Sequence, residues 1–262
     1  MHVTTTTATR IDDVPELRRI GVADLFRALR RGWEDFSAIP TQLVFLSLLY
    51  PVIGIVAARA MMEEKLLPLL FPLAAGFTLL GPVLALGMYE LSRRRELGQP
   101  THVFHALGVL RSPAMFPIAA LGALLLAIFV AWIASAKLIY DMTLGTLGAM
   151  TAGEFAHAVF ATEQGRSMLL IGNAVGAGFA LVVLALAAVS FPMIVDRGVG
   201  PAVAARTSLR AFGTNPGPMV AWGVIVAVIL ALGMIPVFIG LAVALPVLGH
   251  ATWHLYRAVV PR

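Results

Sequence analysis

Charged residues punctuate this chain at intervals matched to a lipid bilayer. Asp35 to Arg59 encloses 23 uncharged residues (36–58), and Lys65 to Glu90 encloses 24 (66–89). Arg111 to Lys137 encloses 25 (112–136), and Arg166 to Asp196 encloses 29 (167–195). A charge at the bilayer centre costs several kcal/mol, and about 20 helical residues cross the hydrocarbon. Each interval therefore predicts one spanning helix. The last interval, Arg210 to Arg257, encloses 46 residues (211–256). As one helix it would be about 69 Å long, roughly twice the bilayer thickness. Gly233-Met234-Ile235-Pro236 and Gly240 lie near its middle, where proline removes a donor and glycine loosens the helix. Two spans joined by a tight uncharged turn are read there. The expected spans are about 38–58, 66–89, 114–137, 167–194, 217–236 and 239–258. Five spans with one long broken helix rank second.

A second periodicity precedes each pair of spans. Val22, Leu25, Phe26, Leu29, Trp33 and Phe36 recur at helical spacing, opposite Asp24, Arg27, Arg30, Arg31, Glu34 and Asp35. Thr101 can cap a second stretch with Val103, Phe104, Leu107 and Leu110 on one face. Pro201 opens a third, faced by Ala202, Ala205, Leu209 and Phe212. Leu29-Arg30, Leu110-Arg111 and Leu209-Arg210 close the three stretches, and Pro40, Pro113 and Pro216 follow. The exits from the second and sixth spans match in spacing: Pro82 to Tyr89-Glu90-Leu91 and Arg93, and Pro246 to Trp253-His254-Leu255 and Arg257. The fold expected is all-α and polytopic. It has six transmembrane helices as three hairpins, each preceded by a cytoplasmic interfacial amphipathic helix. Residues 1–17 read as a disordered cytoplasmic tail and 18–258 as a single transmembrane domain. A short surface helix around Phe155, Val159 and Phe160 is expected in the segment between the third and fourth spans.

Composition agrees. Of 262 residues, 59% are apolar and 13% charged, and the mean hydropathy is +0.89. A soluble domain carries about 25% charge, so a soluble enzyme, a disordered chain and a disulfide scaffold are excluded. There is no cysteine, which removes disulfides, thiolate metal sites and iron–sulfur clusters. Six spans place 15 lysines and arginines on one side and 4 on the other. That asymmetry predicts both termini in the cytoplasm. It also accounts for the pI near 10.2 through contacts with anionic lipid rather than nucleic acid. The first 35 residues hold six arginines and no signal-peptide core, so the first span is read as its own insertion signal.

Few side chains suggest chemistry. His250 and His254 share a helical face and can ligate a metal, with Glu90 as a further ligand at the matching exit position. The alternative is a headgroup-level belt of His250, Trp253, His254 and Tyr256. Glu90 has Arg93 and Arg94 at i+3 and i+4, the spacing of a local ion pair. His102 and His105 fit a solvated face. Asn173 lies inside a span beside Gly172, Gly176 and Ala180, a pattern for polar helix packing. Asn215-Pro216-Gly217-Pro218 reads as a rigid turn. No span carries a charge near its middle, and no nucleophile elbow, HExxH or phosphate loop is present. No enzyme activity and no cofactor are predicted.

Several stretches resemble a bacterial family of integral membrane proteins, domain of unknown function 2189. They are Arg18 to Asp24 with Ala28 to Phe36, Phe71 to Phe77, Leu80-Gly81-Pro82, the Asn215 to Pro218 turn, and Leu248 to Arg257. The resemblance covers about residues 18–258. It implies a multi-span protein of the bacterial inner membrane. Members of the family are sometimes labelled cytochrome c oxidase subunit I-like, but only His250 and His254 lie in a span here. The leading expectation is a non-enzymatic scaffold, assembly or accessory subunit, in contact with the lipid bilayer and with a membrane-protein partner or a second copy. A transporter or channel for a neutral or amphiphilic solute is second. A haem- or metal-binding oxidase-associated protein is third.

Overall fold

The computed structural model describes residues 15–39, 68–69, 71–73, 78–145, 151–235 and 239–262. Most of the expected tail, nearly all of the expected first span and much of the first half of the second lie outside the described residues. Among those described there are helices and no strands. The chain forms α1 (Val22–Ala38), a single turn Gly81–Leu84, α2 (Leu86–Glu96) and a 3₁₀ segment (Val103–Arg111). Then come α3 (Met115–Met142), α4 (Ala152–Ala161), α5 (Glu163–Ala187) and α6 (Ser190–Arg197). α7 (Pro201–Thr214), α8 (Pro216–Met234) and α9 (Leu241–Val259) complete it.

Among the described residues, three stretches are long and apolar enough to cross a membrane: Met115–Met142, Glu163–Arg197 and Pro216–Met234. The middle one breaks at Ala188–Val189, between α5 and α6. Pro192 is the cause, because it cannot donate to the Ala188 carbonyl and its ring crowds that group. The Val189 N–H donates instead to Ser208 Oγ on α7, at 3.2 Å. The last apolar interval holds two helices, α8 and α9, packed together through Leu230, Leu241, Ala244 and Leu248. Gly233 and Gly240 meet where the chain reverses, and a Cβ on Gly240 would lie 2.7 Å from the Gly233 Cα. The expected surface helix is α4, capped by Thr151, whose Oγ1 accepts from the Glu154 N–H.

The amphipathic stretches are helical, and the faces they bury within the protein are not the ones that carry their large apolar side chains. α1 buries Leu25, Ala28, Gly32, Asp35 and Phe36 and leaves Val22, Phe26 and Trp33 exposed. The buried stripe is rotated by about 80° from the apolar one, at 100° per residue. α7 buries Ala204, Thr207, Ser208 and Ala211 rather than the stripe through Leu209, a rotation of about 130°. In the 3₁₀ segment only Val109 is buried. Its N-cap is His102 rather than Thr101: the His102 N–H donates to His105 Nδ1 at 2.9 Å, while the Thr101 hydroxyl donates to the Gln99 carbonyl. Pro201 does open α7. Small residues win these contacts because helices gain by close approach, whereas large apolar side chains lose nothing by facing lipid.

Gly32 shows how close that approach is. A Cβ there would lie 2.6 Å from both the Ala251 Cβ and the Ala251 N on α9. At the other end of α1, the Arg18 N–H donates to the Val259 carbonyl at 2.8 Å. α1 thus runs back along α9 from the C-terminal end of that helix. The exits of α2 and α9 also cross closely: a Cβ on Gly249 would lie 3.0 Å from the Met88 Cβ and 3.3 Å from the Ala85 Cβ. Ala85 and Gly249 each follow a proline by three residues, Pro82 and Pro246. The two exits therefore cross at matching positions.

Candidate functional site

The structure gathers its polar side chains at the arginine-rich end, around α9. The run Trp253-His254-Leu255-Tyr256-Arg257 receives one carboxylate from each of three neighbouring helices. Asp35 of α1 accepts from His254 Nε2 at 2.8 Å. Glu96 of α2 accepts from Trp253 Nε1 at 3.0 Å and from Arg257 Nε at 3.1 Å. Asp196 of α6 accepts from the Tyr256 hydroxyl at 2.7 Å, with Arg257 Nη1 at 3.6 Å. Glu96 is also paired with Arg262. Side chains four or fewer residues apart on one helix thus point into three different interfaces.

Asp35 is the most enclosed of these carboxylates. Ser92 Oγ donates to Asp35 Oδ2 at 2.5 Å, and Arg95 Nε pairs with Asp35 Oδ1 at 3.0 Å. Ser92 is fully buried, as is His250, whose Nδ1 lies 2.8 Å from Ser92 Oγ. The serine proton is committed to the carboxylate, so His250 Nδ1–H donates to Ser92 Oγ. His250 is then the neutral tautomer with Nε2 as an acceptor, and that Nε2 has no hydrogen-bond partner among the described residues. Burial pushes the Asp35 carboxyl up. The hydrogen bonds from His254 and Ser92 outweigh it and hold the carboxyl below the usual carboxylate range.

Glu90 stands apart from the histidines. It accepts from Arg93 Nε at 2.8 Å and from Arg94 Nε at 2.7 Å, the local pairing its spacing implies. Burial raises its carboxyl, and the two guanidinium hydrogen bonds bring it below the ordinary value. Among the described residues no three His, Asp or Glu side chains are placed to hold a metal ion. His250 Nδ1 and His254 Nε2 are occupied by Ser92 and Asp35, and His250 Nε2 is buried. The belt reading fails too, because His250, Trp253 and Tyr256 are buried between helices rather than turned to headgroups. His102 is exposed and stacks on Phe104.

Asn173 is exposed, and its Nδ2 donates to the Leu169 carbonyl of its own helix at 2.8 Å. Gly176 receives Trp132 of α3, whose ring would lie 3.0 Å from a Cβ there, whereas a Cβ on Gly172 would meet nothing within 4 Å. Asn215 is more than a turn former. Its Oδ1 accepts from the Ile20 N–H at 2.8 Å, and its Nδ2 donates to the Arg18 carbonyl at 3.0 Å. It clamps the segment entering α1 against the start of α8. The pattern of charges gave no signal for Asp35, Ser92 or Asn215 as partners; a carboxylate on the edge of an amphipathic face and a serine among arginines look solvated.

No curated protein and no solved structure matches the chain. Residues 70–196 match the model of a family described as predicted integral membrane protein, DUF2189.

Proposed function

We propose that the protein is a non-enzymatic membrane scaffold, an assembly factor or accessory subunit of the bacterial inner membrane, with both termini in the cytoplasm. The observation that carries this reading is the run on α9. Its polar side chains meet three carboxylates, one from each of three helices, so they fasten α1, α2 and α6 into one plate. In this run of described residues the donors and acceptors are used in holding helices together rather than aimed at a substrate, and catalysis needs a group poised toward one. A plate fastened this way suits presentation of a fixed surface to a partner.

The test is the mass of the protein extracted from its own membrane in mild detergent, read by native mass spectrometry. A defined complex with another membrane protein, or a homo-oligomer, is expected. A lone monomer, also in chemically cross-linked membranes, overturns the proposal. A second reading, passage of a neutral or amphiphilic solute, draws on one feature. An apolar cleft of ≈ 460 Å³ lies between α3 and α5, lined by Ala127, Ile128, Ala131, Val175, Gly178, Phe179 and Val182. Solute flux into proteoliposomes that is lost in Ala131→Phe supports it, and flux indistinguishable from empty vesicles rejects it.

A further inference from the structure

α1 divides into three sectors. One, through Leu25, Ala28, Gly32 and Asp35, is buried on α9. The second carries Arg27, Arg30, Arg31 and Glu34, where Arg27 pairs with Asp24 and Arg30 with Glu34, both in the open. The third lies between them and is apolar, yet uncovered: Val22 is 57% exposed, Phe26 61% and Trp33 54%. Water does not suit this stripe. The 3₁₀ segment repeats the pattern with Phe104, Leu107 and Leu110 exposed, and α7 with Leu209. All three lie at the arginine-rich end. Asn215, which opens the candidate span α8, holds Arg18 and Ile20, and Gly32 lies against Ala251, eight residues back along α9. The stripe of α1 is therefore level with the first turns of a membrane span. Arg18, Arg19, Arg31, Arg206 and Arg210 have no ion-pair partner among the described residues.

We propose that the third sector of α1 is a docking surface for the anionic cytoplasmic leaflet: acyl chains cover Val22, Phe26 and Trp33, and phospholipid phosphates meet the surplus arginines gathered at this end of the molecule. A helix with an apolar stripe bordered by guanidiniums suits the boundary between headgroup and acyl chain, where Trp is favoured. Anionic headgroups complement the surplus positive charge at this end. The inference goes beyond the scaffold reading and does not depend on it, since it needs only that the chain is a membrane protein.

Trp33 reports on the surface directly. The chain has four tryptophans; Trp132, Trp222 and Trp253 are buried and Trp33 is exposed. The protein is reconstituted in vesicles of phosphatidylglycerol and phosphatidylcholine, with bromines on the acyl chains of one lipid at a time. Quenching by bromolipid is expected for a fluorescence component that is missing in Trp33→Phe and in Trp33→Tyr, and aqueous iodide is expected not to reach it. Moving the bromines from phosphatidylcholine to phosphatidylglycerol at equal mole fraction should raise that quenching by about two-fold or more, given the attraction of each nearby arginine. Quenching by iodide, which places the stripe in water, overturns the proposal. So does protection from both reagents, which means a second copy or another protein covers it. Equal quenching by the two lipids overturns the choice of an anionic leaflet.

Discussion

Gly32→Ala tests the packing that seats α1. The new methyl would stand 2.6 Å from the Ala251 Cβ, 2.6 Å from its N and 2.7 Å from its Cα. Carbon atoms in contact prefer about 3.5–4.0 Å, so α1 must retreat from α9 by roughly 1 Å. Two of the clashing atoms are backbone, and no rotamer change relieves them. Asp35 lies one turn further along the same face. A retreat of that size takes the His254–Asp35 contact of 2.8 Å beyond hydrogen-bond reach. Overpacking costs about 1–3 kcal/mol, and weakening a buried charge-assisted hydrogen bond adds about 1.5–3 kcal/mol. A loss of about 3 kcal/mol is expected. The measurement is unfolding in mixed dodecyl maltoside and sodium dodecyl sulfate, followed by the near-ultraviolet signal of the buried Trp253. Gly213→Ala is the internal control, since it sits near the end of α7 with nothing within 4 Å of its new Cβ. It should be neutral or stabilising by up to about 1 kcal/mol. Ala251→Gly added to Gly32→Ala should recover only part of the loss, because the backbone clashes persist. If Gly32→Ala unfolds within about 0.5 kcal/mol of wild type, the close seat of α1 is wrong.

Three other outcomes follow from the polar plate. Ser92→Ala removes the group between Asp35 and His250 and strands the His250 Nδ1–H in the interior; a destabilisation of about 1–3 kcal/mol is expected in the same unfolding assay, and no change would break the assigned chain of hydrogen bonds. Asn215→Ala frees the backbone at Arg18 and Ile20, so tryptic cleavage after Arg18 and Arg19 should accelerate about ten-fold for a loss near 1.4 kcal/mol; an unchanged rate refutes the clamp. Asp35 has a lowered carboxyl pKa when folded, so its stabilisation is complete above the ordinary aspartate value of 3.8 and fades as the pH falls below it. Thermal unfolding in detergent from pH 7 to pH 3 should show a loss below about pH 4 that is smaller in Asp35→Asn, and identical slopes would contradict the assignment.

What the chain revealed of itself depended on the range of the forces. The candidate spans in α3, in α5 with α6, and in α8 were legible because a bilayer limits the length of each charge-free interval, and that constraint acts on every residue alike. The pair His250 and His254 was visible as a spacing, but their partners were not. Asp35 is 219 residues from His254, and Ser92 is 57 from Asp35. The faces by which α1 and α7 pack on other helices were not legible, for a physical reason. The periodicity of large side chains locates the driest face in water, where burial is rewarded by area. Beside a bilayer that reward disappears, and Ala28, Gly32, Ala204 and Ala211 decide the contact by allowing backbones to meet. Asn215 looked like a turn residue because its neighbours are Pro216 and Gly217, and its clamp on Ile20 spans 195 residues.

The seat of α1 also fixes an order of events during synthesis. Asp35 leaves the ribosome 219 residues before the His254 that shelters it, and at 5–20 residues per second the wait is roughly 10–45 s. Ser92 and Arg95 can reach the carboxylate early in that interval, but the glycine face of the nascent helix stays without its counterpart until α9 arrives. Final closure therefore belongs to the moment when α9 is handed over by the translocation machinery. A ribosome that stops short of α9 releases a product whose first helix has nowhere to go, which is the kind of defect that membrane proteases recognise.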